Sequence, residues 1–172
     1  SDNTSHLELS NSDIALYAPG PVAAIDEKIQ IVGLTNSSSL TIHGITEESR
    51  GKTGKAHLTA AVYVEDGSKL NFSGSVLTFE NALIVNEGET NFKELSNTEL
   101  HASLYQTAGK LDVGAGAEVL SDKSVEVTGG GMNVAGVLTS NTLVVQNAEA
   151  NVAGSLKTGT LTLGTKNKGL SQ

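Results

Sequence analysis

The tripeptide Gly51-Lys52-Thr53 is where this sequence comes closest to a chemical motif, since glycine, lysine and a hydroxyl residue in that order can cradle a phosphate. The phosphate-binding loop also needs a glycine five positions earlier, a preceding strand and a following helix. Position 46 is threonine and the residues after Lys55 have strand character, so no nucleotide site is expected. The four histidines, His6, His43, His57 and His101, are scattered without metal-ligand spacing and are expected on the surface. Carboxylates gather in Gly-rich turns, as in Glu65-Asp66, Glu87-Gly88-Glu89 and Glu118, where polar residues belong in any case. Polysaccharide hydrolysis or elimination needs carboxylates that converge on one face. The nearest approach is a recurring polar position occupied by Thr41, Asn71, Asn91, Asp112, Asn133 and Asn151, with one carboxylate among amides. That is no acid–base pair, and neither a catalytic residue nor a cofactor or metal is expected.

What would position those residues is a repeat. From Val62 to Leu163 an apolar pair one residue apart is followed by a polar turn and then by a short strand with a polar centre. The pairs are Val62/Val64, Leu83/Val85, Ser103/Tyr105, Val125/Val127 and Leu143/Val145. The strand centres are Asn71, Asn91, Asp112, Asn133 and Asn151. Upstream, Val32/Leu34 with Thr41 and Ile14/Leu16 with Ala23 fit the same scheme. Successive centres are thus 18, 30, 20, 21, 21 and 18 residues apart. A period near 20 residues marks a solenoid whose units stack on their neighbours.

Apolar residues alternate within each repeat, which is the two-residue period of a strand. A third short segment, such as Leu95 to Leu100 or Val137 to Thr139, lies between each central strand and the next apolar pair. The expectation is an all-β, right-handed parallel β-helix with three strands per turn, in about seven turns. A left-handed hexapeptide helix would need a strict six-residue period, which the steps of 20 and 21 break. With its apolar neighbours pointing inward, the central residue must point outward. Asn71, Asn91, Asp112, Asn133 and Asn151 are therefore expected to form an outward polar ladder of mutually bonded side chains.

Composition suits this reading. Aromatic residues make up 3% of the chain, too few for a core built on large rings, and Gly reaches 19. An apolar fraction of 38% and a charged fraction of 17% exclude a disordered chain. The 11 basic and 19 acidic residues leave a net charge of −8, which argues against nucleic acid and anionic membranes as partners. No apolar run approaches the roughly 18 residues of a membrane span. Cysteine is absent, so disulfides and thiolate metal sites are excluded. The chain is expected to be a single β-helix segment over residues 1–172, cut from a longer protein, since neither end carries an evident capping helix or a leader.

One run departs from the rhythm. Glu47 to Lys55 is hydrophilic, of mixed charge and without alternation, and is expected to form an inserted surface loop, with Arg50, Lys52 and Lys55 as candidate binding residues. A second candidate is the residue between the members of each apolar pair, which should face solvent. This column runs Gly33, Tyr63, Ile84, Leu104, Glu126, Val144 and Thr162, so Tyr63, Ile84 and Leu104 are expected to form an exposed contact face.

The segments Gly-Val-Leu-Thr-Ser-Asn-Thr-Leu-Val-Val from Gly136, Val-Ala-Gly-Ser-Leu-Lys-Thr-Gly-Thr-Leu-Thr-Leu-Gly from Val152 and Gly-Lys-Leu-Asp-Val-Gly-Ala-Gly-Ala from Gly109 resemble passenger-domain repeats of bacterial autotransporters, in the self-associating and adhesive branch. The resemblance implies export across the outer membrane and display at the cell surface as a non-catalytic adhesin or stalk. It also implies self-association, or contact with a host or cell-surface protein or glycan. Two other readings remain open at this point, a carbohydrate-active or carbohydrate-binding β-helix of the tailspike or pectin-lyase kind, and a polymerising scaffold like the bactofilins.

Overall fold

The structure, a computed structural model, describes residues 5–10, 13–17, 22–24, 29–47, 52–58, 61–74 and 77–164. These residues form strands joined by short turns, with no helix among them. In chain order the strands are β1 Ser5–Ser10, β2 Asp13–Tyr17, β3 Val22–Ala24, β4 Ile29–Thr35, β5 Ser39–Glu47, β6 Lys52–Leu58, β7 Ala61–Val64, β8 Lys69–Gly74, β9 Leu77–Asn86, β10 Glu89–Phe92, β11 Asn97–Gln106, β12 Lys110–Val113, β13 Glu118–Val127, β14 Gly131–Val134, β15 Val137–Val145, β16 Glu149–Val152 and β17 Ser155–Leu163.

Each strand pairs in parallel with its counterpart one turn away, which makes the chain a parallel β-solenoid. One track runs β1, β4, β7, β9, β11, β13, β15, β17. A second runs β2, β5, β8, β10, β12, β14, β16. The third track, β3 and β6, runs into the first half of β9. From β9 onward the third and first tracks are one continuous strand, interrupted only by register shifts at His101/Ser103 and Ser121/Ser124.

Alternation decides which side chains enter the core. Through β11 the buried residues are Thr98, Leu100, Ala102, Leu104 and Gln106, with partly covered residues between them. Stacking then lines up equivalents in columns. Val32, Val62, Ile84, Leu104, Val125 and Leu143 form one buried column, and Leu40, Leu70, Thr90, Leu111, Met132 and Ala150 another. Phe72 and Phe92 stack in a third column with ring centroids 4.9 Å apart and planes 10° from parallel. Such stacking buries apolar side chains at roughly 25 cal/mol per Å².

The register corrects the sequence reading in three places. Ile14 and Leu16 of β2 pair with Leu40 and Ile42, so they belong to the central strand, and Ala15, paired with Thr41, is its centre in place of Ala23. The apolar pair of that turn is Leu7 and Leu9 of β1, opposite Val32 and Leu34. In β9 and β11 the inward residues are Ile84/Asn86 and Leu104/Gln106 instead of Leu83/Val85 and Ser103/Tyr105. The reason lies in two amides that behave as core residues. Asn86 Nδ2 donates to Gln106 Oε1 at 3.0 Å and to the Lys110 carbonyl at 2.9 Å. Gln106 Nε2 donates to the carbonyls of Gly129 and Gly131 at 3.0 and 2.8 Å. These amides take up turn carbonyls that an apolar side chain would leave without a partner.

The stretch from Asn86 to Thr98 is the polar part of the core. Asn86 Oδ1, Thr90 Oγ1, Ser96 Oγ and Thr98 Oγ1 are buried without a hydrogen-bond partner. A buried hydroxyl with no partner costs about 1–3 kcal/mol. Thr98 pairs in register with Val119, which is buried, so its column already accepts a branched apolar side chain. Thr98→Val should therefore stabilise the chain by about 1–2 kcal/mol and raise Tm by several degrees in a thermal melt. A lower Tm would mean that the hydroxyl has a partner.

Candidate functional site

The outward face of the central strands carries the polar column expected from the repeat. Asn71, Asn91, Asp112, Asn133 and Asn151 stand in register on β8, β10, β12, β14 and β16. On both sides of Asn71 and Asn91 the chain is buried, at Leu70 and Phe72 and at Thr90 and Phe92, so the amides occupy the opposite face. Each amide donates to the preceding turn. Asn71 Nδ2 reaches Thr41 Oγ1 at 3.3 Å and Asn91 Nδ2 reaches Asn71 Oδ1 at 3.1 Å. Asn133 Nδ2 reaches Asp112 Oδ1 at 2.7 Å and Asn151 Nδ2 reaches Asn133 Oδ1 at 3.2 Å.

The polarity of this chain explains its one break. An ionised carboxylate accepts and cannot donate, so Asp112 takes bonds from Asn133 and from Lys110 Nζ, at 3.3 Å, and passes none to Asn91. A polar depression of about 410 Å³ opens there, lined by Asn91, Lys93, Glu94, Asp112 and Gly114.

The ladder is outward, yet its first amides are covered, with Asn71 and Asn91 at 6% and 9% exposure. Asn91→Asp sets a carboxylate against the Asn71 carbonyl oxygen and beside Asp112. It should cost about 1–3 kcal/mol at neutral pH in urea melts. Asn151→Asp, at an exposed rung, should cost less than about 0.5 kcal/mol. Equal effects would show that the amides do not bond as a column.

The expected contact face of Tyr63, Ile84 and Leu104 is not a face. Tyr63 is 44% exposed, whereas Ile84 and Leu104 are both 0% exposed and belong to the core. The one-residue shift at β9 and β11 moves both inward because Asn86 and Gln106 occupy the next inward position. The true outward column is Gly33, Tyr63, Val85, Tyr105, Glu126, Val144 and Thr162. A second depression, about 310 Å³ and mainly apolar, lies on this column between Tyr63, Val85, Glu65 and Glu87.

The run expected as a loop is a β-hairpin where it is described. Ile45, Thr46 and Glu47 of β5 pair antiparallel with Gly54, Thr53 and Lys52 of β6. Lys52 and Lys55 therefore sit on a strand, and Lys55 pairs with Val22 of β3. The hairpin arises because β5 and β6 run past the ends of their parallel partners and pair with each other. Arg50 lies outside the described residues.

His101 has a hydrogen-bond partner that scattered histidines gave no reason to expect. Its Nδ1 lies 2.9 Å from Asp122 Oδ2, and Glu99 Oε2 lies 3.9 Å from Nε2. The signal was the spacing, since His101 and Asp122 are 21 residues apart, one turn of the repeat. Among the described residues no group of three His, Asp or Glu side chains is placed to hold a metal ion.

No protein-family model, curated protein or solved structure matches the chain.

Proposed function

We propose that this chain is a non-catalytic β-helical segment of an exported bacterial surface protein, an adhesin or stalk that works through contacts of its outer face. The observation that carries the reading is the outward column on β7, β9 and β11, where Tyr63, Val85 and Tyr105 follow one another in register. A rod of stacked parallel strands presents such a column as a straight stripe at a spacing of roughly 4.8 Å, suited to a lateral contact with a partner or a second copy. The absence of cysteine accords with passage across membranes in an unlocked state.

Sedimentation velocity of the wild-type chain over a range of concentrations tests the self-association arm, and binding to intact cells tests the adhesive arm. The double variant Tyr63→Lys, Tyr105→Lys should abolish whichever is seen while lowering the melting temperature by only a few degrees. Wild-type chain that neither associates nor binds cells would overturn the reading.

A second reading has its own support in the break of the ladder. At Asn91 and Asp112 two acceptor-bearing side chains line a polar depression beside Lys93 and Glu94, an arrangement able to take hydroxyl donors of a carbohydrate. A glycan-binding screen with a reducing-sugar assay separates this alternative, and sugar release would make the chain an enzyme.

A further inference from the structure

At the depression beside Tyr63 an exposed ring, an apolar wall and two carboxylates meet. Tyr63 is flanked in its column by Gly33, which has no side chain, and by Val85. Glu65 and Glu87 stand at the rim. Both are oriented by contacts to neighbouring turns, Glu65 Oε2 accepting from the Asn36 backbone N–H at 3.1 Å and Glu87 Oε1 from the Thr107 hydroxyl at 3.2 Å. Glu89, nearby in the chain, has its own cation in Lys69 at 3.0 Å. Glu65 and Glu87 have no ion pair among the described residues.

An aromatic face beside carboxylates attracts cations, by the ring quadrupole and by charge, and an apolar wall accommodates an alkyl stem. A lysine side chain combines both properties. We infer that this depression is a docking site for the lysine side chains of a basic partner segment, the stem lying along Tyr63 and Val85 and the ammonium between Glu65 and Glu87. A second copy of this chain is the poorer occupant, because each copy carries a net charge of −8. The inference rests on the reading of this face as a contact surface.

The test is a titration of the 172-residue chain followed by amide chemical shifts, with three probes: Nα-acetyl-lysine methylamide, its ε-trimethyl form, and the neutral norleucine analogue. The two cations should shift Gly33, Tyr63 and Val85, and the neutral analogue should bind about tenfold more weakly. Tyr63→Leu keeps the apolar bulk and should weaken the cations about fivefold. The pair Glu65→Gln, Glu87→Gln should remove most of the salt dependence. Equal binding of the norleucine analogue would reduce the site to an apolar patch and overturn the assignment. So would binding of methyl β-glucoside without binding of either cation, or no shift with any probe. Failure of the lysine assignment alone would leave Tyr63-dependent association or cell binding intact, whereas failure of the contact-surface reading would remove that association as well.

Discussion

Leu104→Asp is expected to unfold the chain, whereas Tyr105→Asp should leave it folded. Leu104 is 0% exposed and pairs in register with Ile84 and Val125, both also buried, so an introduced carboxylate finds apolar neighbours in the turns on either side. Loss of the leucine's burial and of the charge's hydration should together cost more than about 4 kcal/mol. That is a large part of the roughly 5–15 kcal/mol by which a domain is stable. Because turns support one another, damage at one rung spreads to its neighbours. Tyr105, on the opposite face of the same strand, is partly exposed, and its replacement should cost about 1 kcal/mol. Circular dichroism and urea melts of the two variants measure the contrast, and similar losses in both would refute the register of β11.

The second large effect is at a turn. Gly109→Ala should destabilise by about 3–4 kcal/mol, because two costs coincide there. Its φ of +70° lies in the left-handed region, which costs a non-glycine residue about 1–2 kcal/mol. A Cβ would also stand 1.9 Å from the Gly88 carbonyl oxygen and 2.4 Å from that of Glu87. The turns stack through their backbones at this corner, Lys110 N–H donating to Gly88 at 2.7 Å and Gly131 N–H to Gly109 at 2.9 Å. Relieving the clash must stretch these bonds, each worth about 1 kcal/mol. Gly131 is the control, since its Cβ would meet nothing nearer than 3.9 Å. Gly131→Ala should fall within about 0.5 kcal/mol of wild type in the same melts. A Gly109→Ala chain as stable as wild type would show that the turns do not approach one another this closely.

The sequence showed the solenoid clearly because stacking repeats one pattern along the chain, and each repeat tests the others. The polar centres Asn71, Asn91, Asp112, Asn133 and Asn151 were legible for that reason, and they do fall in one column, bonded except between Asn91 and Asp112. Register failed where alternation carried no information. Leu83-Ile84-Val85 is apolar at every position, so only the polarity of Asn86 pointed outward, and Asn86 is a core residue that satisfies its amide internally. The same inversion at Ser103 to Gln106 placed Leu104 on the surface and hid Tyr105 as a contact residue. At the N-terminal end Pro19-Gly20-Pro21, which lie outside the described residues, read as the turn after an apolar pair, whereas Ile14 and Leu16 pair with Leu40 and Ile42, which shifts the first repeat by one strand. The hairpin of β5 and β6 was missed because its pairing is local and polar, with no apolar period to betray it. The depression at Tyr63 requires Glu65, Glu87 and Val85 from successive turns, a juxtaposition that appears only once the register is fixed.

Native-state thiol labelling tests that register most directly, because the chain has no cysteine of its own. Four single variants, Ile84→Cys, Val85→Cys, Leu104→Cys and Tyr105→Cys, sample both faces of two successive turns. Val85→Cys and Tyr105→Cys are expected to react readily with a polar maleimide under native conditions, while Ile84→Cys and Leu104→Cys should react only once urea unfolds the chain. Ready native labelling at positions 84 and 104 with protection at 85 and 105 would contradict that register.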